Sequence, residues 1–138
     1  MRIGRQERHR SSGSIYLHVL GASLLVTIIG LAALSAVRLQ TRATQWAGDA
    51  AEARACAVSA VELGLLHVAQ DPNWRTTWPH GAWLTDKILG SGLFALEGMD
   101  PRDGDLTDSE YEPLILTGTG SKGIARHRTQ VTLVPVLR

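Results

Sequence analysis

Three patterns of apolar and polar positions follow one another along the chain. From Ser14 to Val37 no side chain carries a formal charge, and apolar or small residues predominate throughout. At about 1.5 Å per residue these 24 residues make a helix of roughly 36 Å, enough to cross a bilayer core of about 30 Å. The pattern predicts a transmembrane helix over 14–37. A secretory signal has a shorter apolar core of roughly 7–15 residues. A soluble remainder of about 100 residues has too little core to bury a helix that is apolar all round. Ordinary secretion would instead cleave at "ALSA", after Ala36.

The second pattern runs from Arg38 to Gln70, contains no proline, and is dominated by alanine and other good helix formers. Trp46, Ala50, Ala53, Ala57, Val61, Leu65 and Val68 recur three or four apart and form one apolar stripe, with Asp49, Glu52, Ser59 and Glu62 mostly elsewhere. The helix is therefore expected to continue past the membrane over 38–70, making one rod of roughly 55 residues and about 80 Å. Gly48 marks a candidate bend. Pro72 biases Asp71 away from helical geometry and ends the helix in "QDPNW".

The third pattern occupies 71–138, where shorter apolar runs are broken by glycine: "AWLTDKILGSG", "GLFALEGMD", "PLILTGTG" and "ARHRTQVTLVPV". These read as strands, with the acidic "DPRDGDLTDSEYE" as a long polar loop and "GTGSKG" as a tight turn. In the final strand Ala125, His127, Thr129, Val131 and Leu133 share one face, and Arg126, Arg128, Gln130, Thr132 and Val134 the other. A small antiparallel sheet with one wet face needs a cover for its other face, and the helical stripe is the cover available. The expected fold class is α+β: a long N-terminal helix, half transmembrane and half soluble, packed on three or four antiparallel strands.

Charge adds topology. Fourteen Lys and Arg against thirteen Asp and Glu give a net charge of +1, with no global field that would attract nucleic acid. Arg2, Arg5, Arg8 and Arg10 crowd the stretch before the span, and Arg38 and Arg42 follow it. The positive-inside rule then keeps the N-terminus in the cytoplasm and puts the C-terminal region outside the cytoplasmic membrane. The single cysteine, Cys56, forms no internal disulfide and reads as a small packing residue.

Candidate chemistry is sparse. Asp100, Asp103, Asp105, Asp108, Glu110 and Glu112 offer hard oxygen ligands, but no register of the loop gives the alternating ligands and central glycine of a helix-loop-helix calcium site. The loop therefore reads as solvated. Trp74, Trp78 and Trp83 read as a cluster closing the sheet over the helix end. His67, His80 and His127 are scattered, and no catalytic set or cofactor site is expected.

A basic leader ending in Gly13, an apolar helix starting at Ser14, "TIIGLAAL" at 27–34, and a helix that leaves the membrane to cover a sheet resemble the prepilin family of type IV pilins and type II secretion pseudopilins. "AEARACAVSAVELGLLHVA" and "LILTGTGSKGIARHRTQVTLV" resemble its minor subunits. The resemblance implies a leader over 1–13, cut between Gly13 and Ser14 by a prepilin peptidase. It also implies membrane lipid and other pilin or pseudopilin subunits as partners, and assembly through the helix, including His18, Gly21 and Gly30. Most prepilins have a glutamate where this chain has His18, and phenylalanine or methionine where it has Ser14. The glutamate is also missing from a tip-forming class of minor pseudopilin. His18 either suits a capping place at a filament tip or reaches the headgroups from the edge of the span. The alternative to a filament subunit is a single-pass anchored binding or sensor domain that does not polymerise.

Overall fold

The computed structural model describes residues 12–135. The arginines of the basic leader lie outside the described residues. The elements are α1 (Ser12–Gln70), α2 (Trp74–Thr77), β1 (Gly81–Leu89), β2 (Gly92–Met99), β3 (Leu114–Lys122) and β4 (Ala125–Leu133). Contacts group residues 1–43 and 44–138 into two units.

In the first unit every described residue from 13 to 43 is exposed, including Leu24, Leu25 and Ile29. Hydroxyls of this stretch turn back on their own helix at Thr27, Ser35 and Thr41. Thr27 Oγ1 donates to the Ser23 carbonyl at 2.8 Å and Ser35 Oγ to the Leu31 carbonyl at 2.8 Å. Such bonds remove most of the penalty for a hydroxyl in lipid.

The second unit is a four-stranded antiparallel meander in the order β1-β2-β3-β4, covered on one face by α1. Two-residue turns make the outer hairpins: Leu89 pairs with Gly92 across Gly90-Ser91, and Lys122 with Ala125 across Gly123-Ile124. Gly90 (φ 62°) and Gly123 (φ 54°) supply the left-handed backbone such turns require. The turn expected at "GTGSKG" is thus shorter than the sequence suggests, and Gly118 and Gly120 belong inside β3.

The glycines are there for space. A Cβ on Gly120 would overlap the Ala53 carbonyl oxygen, and one on Gly118 the Ala57 carbonyl oxygen. The backbones of α1 and β3 therefore touch directly, through Ala53, Cys56, Ala57 and Ala60 on the helix. Farther along, the interface thickens into Leu96, Leu106, Leu114, Leu116 and Trp83, with Leu65, Val68, Trp74, Trp78, Phe94 and Leu133 at its edge. Burying each large apolar side chain contributes about 1.5–3 kcal/mol.

The stripe needs one correction. Ala53, Ala57 and Val61 are buried and Leu65 and Val68 pack on the core, but Trp46 is 60% exposed and Ala50 is exposed. The hairpin tips meet α1 at Asp49 and Glu52, and Trp46 lies exposed on the helix before them. Gly64 packs against Leu96 and Leu116. Gly48 lies within α1, which continues through it.

The helix ends as expected. Asp71 N–H makes a last bond to the His67 carbonyl at 3.1 Å, and Asp71 Oδ1 accepts from Asn73 N–H at 2.8 Å across Pro72. The tryptophans then close the end of the core: Trp78 stacks 4.6 Å from His67 and 5.3 Å from Trp83, and Trp83 Nε1 donates to the Pro79 carbonyl.

Candidate functional site

Two features stand out among the described residues: the apolar N-terminal part of α1 and a carboxylate cluster in the β2–β3 loop. They belong to different units and are described separately.

α1 is long and apolar enough near its N-terminus to cross a membrane. The proposed cleavage pair, Gly13 and Ser14, lies in its first turn, since α1 begins at Ser12. His18 Nδ1 lies 2.6 Å from the Ser14 carbonyl oxygen, one turn back. Gly21 and Gly30 both face open space. They are nine residues apart, which at about 3.6 residues per turn is two and a half turns, so they open opposite sides of the helix. The two glycines thus do not share one face.

The carboxylate cluster arises from the ladder. Met99 pairs with Ile115, so the loop leaves and returns at neighbouring positions and sets Asp100 beside Glu112. Asp103 and Asp108 fold back over them. One oxygen from each of the four residues lies within 4.8 Å of all the others. Asp100 is 5% and Glu112 7% exposed, while Asp103 and Asp108 are exposed.

Arg102 orients the buried pair. Its backbone N–H donates to Asp100 Oδ1 at 2.7 Å and its Nη1 to Glu112 Oε1 at 2.8 Å. Asp100 Oδ2 and Glu112 Oε2 are buried with no hydrogen-bond partner among the described residues. Arg75 reaches the same region from α2: its guanidinium donates to the Leu106 and Glu112 carbonyls while lying 4.6 Å over the Trp74 ring.

Crowding splits the carboxyls electrostatically. The hydrogen bond from Arg102 N–H holds Asp100 below the usual carboxylate range, whereas a side-chain hydrogen bond with Asp100 pushes Glu112 up, aided by burial. Asp108 is also raised, by desolvation and by Asp103. The loop is therefore a preorganised set of hard oxygen donors. The sequence names these residues as oxygen donors but not which of them meet, because spacing along the chain carries no information about the pairing of β2 and β3.

The chain matches no protein-family model, and no curated protein or solved structure matches it significantly.

Proposed function

We propose that the chain is a prepilin-like structural subunit, anchored by α1 and assembling with other subunits of a type IV pilus or type II secretion-like system. One observation carries the reading: a single helix supplies both a long exposed apolar stretch and, farther along, the cover of a four-stranded antiparallel sheet. An exposed apolar surface of this extent calls for lipid or partner helices. Growth of a filament needs two different patches on each subunit, one for the neighbour on each side. Small-residue openings on opposite sides of α1, at Gly21 and Gly30, meet that need, because small residues in lipid let helices approach closely. The role is mechanical, with the N-terminus in the cytoplasm, the sheet outside the cytoplasmic membrane and no catalysis by the chain itself.

The experiment is mass spectrometry of the chain extracted from membranes of a host with an active prepilin peptidase. The expected mature N-terminus is Ser14. A chain still starting at Met1 overturns the family reading, and one starting at Val37 points to ordinary secretion. A second measurement separates a filament subunit from an anchored sensor: replacing 14–37 with a leucine-rich span should keep membrane insertion and abolish crosslinking between subunits.

A further inference from the structure

We propose that the free edge of β4 docks an extended acidic segment of another protein, which joins the sheet as an added strand beside Arg126 and Arg128. The inference does not depend on the filament reading, since it rests on the sheet alone.

The two edges of the sheet are built differently. β1 slips register against β2 twice, between Ala82 and Leu84 and between Leu84 and Lys87, and Asp86 stands left-handed at φ 48°. Bulges of this kind guard an edge against further pairing. β4 lacks them. It holds unbroken register with β3 from Leu114 opposite Leu133 to Lys122 opposite Ala125, contains no proline, and is the last strand of the sheet. Across the two-residue turn Lys122 and Ala125 exchange both backbone bonds, so alternation turns the N–H and carbonyl groups of Arg126, Arg128, Gln130 and Thr132 outward. All four residues are exposed. Such a row is the template on which an extended peptide adds to a sheet.

Charge selects the occupant. Gly118 and Gly120, beneath α1, pair with Thr129 and His127, so the side chains of Arg126 and Arg128 lie on the opposite face. Neither arginine makes an ion pair or hydrogen bond among the described residues. Their neighbours across the ladder, Ser121 and Thr119, are uncharged, and Asp86 borders the same hollow as Arg126 without pairing to it. An antiparallel strand added to β4 sets its own residues opposite Arg126 and Arg128, two positions apart on one face. Aspartate or glutamate at those positions meets both guanidinium groups. A second copy of β4 fits less well, because antiparallel pairing brings the arginines of both copies onto one face of the joined sheet. A nucleic acid matches the charge, but its phosphates cannot donate to the outward carbonyls.

The test uses the full-length chain in a non-ionic detergent and a capped peptide of alternating threonine and valine, with glutamate replacing two threonines two positions apart. Nuclear magnetic resonance should show saturable binding with a Kd below about 10⁻³ M and slowed amide exchange at Arg126, Arg128, Gln130 and Thr132. N-methylation of the peptide's bonding amides should weaken binding at least about tenfold, and so should lysine in place of the glutamates. The Arg126→Glu/Arg128→Glu variant, changed only at exposed positions, should prefer the lysine peptide. The absence of saturable binding in the millimolar range overturns the proposal. Binding that survives N-methylation, or that a single-stranded oligonucleotide matches in affinity, reflects surface charge without strand addition and also overturns it. Slowed exchange of the same amides in the chain alone, rising with its concentration, gives the edge to a second copy and overturns it as well. The peptide comparisons on the wild type decide even if the variant does not fold.

Discussion

Gly120 lies directly beneath the carbonyl oxygen of Ala53, so close that a methyl group on the glycine would overlap it. Two residues away Gly118 stands in the same relation to Ala57. Glycine inside a strand weakens it intrinsically, and its presence here reflects the approach of another backbone. Helix and sheet meet at this end without intervening side chains, which leaves little room for adjustment on either side.

Gly120→Ala should therefore destabilise the sheet domain by about 1–3 kcal/mol or more, since neither the α1 backbone nor the β3 ladder can yield cheaply. For a domain of this size that is a Tm loss of roughly 4–8 °C per kcal/mol. Gly48→Ala is the control. A Cβ there meets nothing within 4 Å, so the change should be neutral or stabilise by up to about 1 kcal/mol. Thermal unfolding of both variants in micelles checks the contrast, and equal effects would show that the close approach is not structural.

Ala57 is fully buried, with its carbonyl over Gly118. Ala57→Asp buries a carboxyl group in the packed seam between α1 and β3, at a cost of about 2–7 kcal/mol even when it is neutral. Against a typical domain stability of about 5–15 kcal/mol this should unfold the sheet region while leaving membrane insertion intact. Near-ultraviolet circular dichroism of the Trp74, Trp78 and Trp83 cluster, read beside membrane fractionation, tests both halves. A native tryptophan spectrum in the variant contradicts the packing.

Much of this arrangement is legible in the residues. Pro72 marks the helix end, and the alternation from Ala125 to Leu133 gives the face of β4. The acidic run between two apolar segments marks the β2–β3 loop. What is not legible depends on partners in space. Periodicity carries the stripe back to Trp46 because it holds no information about where the sheet stops. Glycine density makes "GTGSKG" resemble a turn, since composition does not distinguish a glycine needed for φ from one needed for clearance. Cys56, Ala60 and Gly64 widen the buried face beyond the stripe, because small residues carry a weak apolar signal. The carboxylates of the loop meet only through the β2–β3 ladder.

Glu52 joins the helix to both hairpin tips. Its Oε1 accepts from Ser91 N–H and the Ser91 hydroxyl, and Lys122 Nζ lies 3.7 Å from Oε2. The Ser91 hydroxyl chiefly holds the Glu52 carboxyl below its ordinary value of 4.5, with Ser91 N–H and Lys122 assisting. A lowered folded value means that its contribution is complete above the unfolded value and is lost as pH falls through the folded one. The Tm gap between wild type and Glu52→Gln should be constant near neutrality and shrink as pH falls below 4.5. A gap that persists at the lowest pH at which the protein remains folded would mean that the carboxylate charge plays no part.

The final prediction concerns His18, whose ring nitrogen Nδ1 lies 2.6 Å from the Ser14 carbonyl oxygen of the same helix. The ring thus has a partner within α1 and needs none from a neighbouring subunit. His18→Leu should leave membrane insertion and crosslinking between subunits essentially unchanged. His18→Glu would restore the acid most prepilins have at this place. On the capping interpretation there is no amine above it to meet, and an unpaired carboxylate inside the bilayer is expensive. The glutamate variant should therefore assemble no better than the wild type. Photo-crosslinking from a probe in the first two turns of α1, read for both variants in native membranes, provides the comparison. Greater assembly with glutamate, or complete loss with leucine, would show that position 18 makes a contact between subunits and would overturn the capping interpretation.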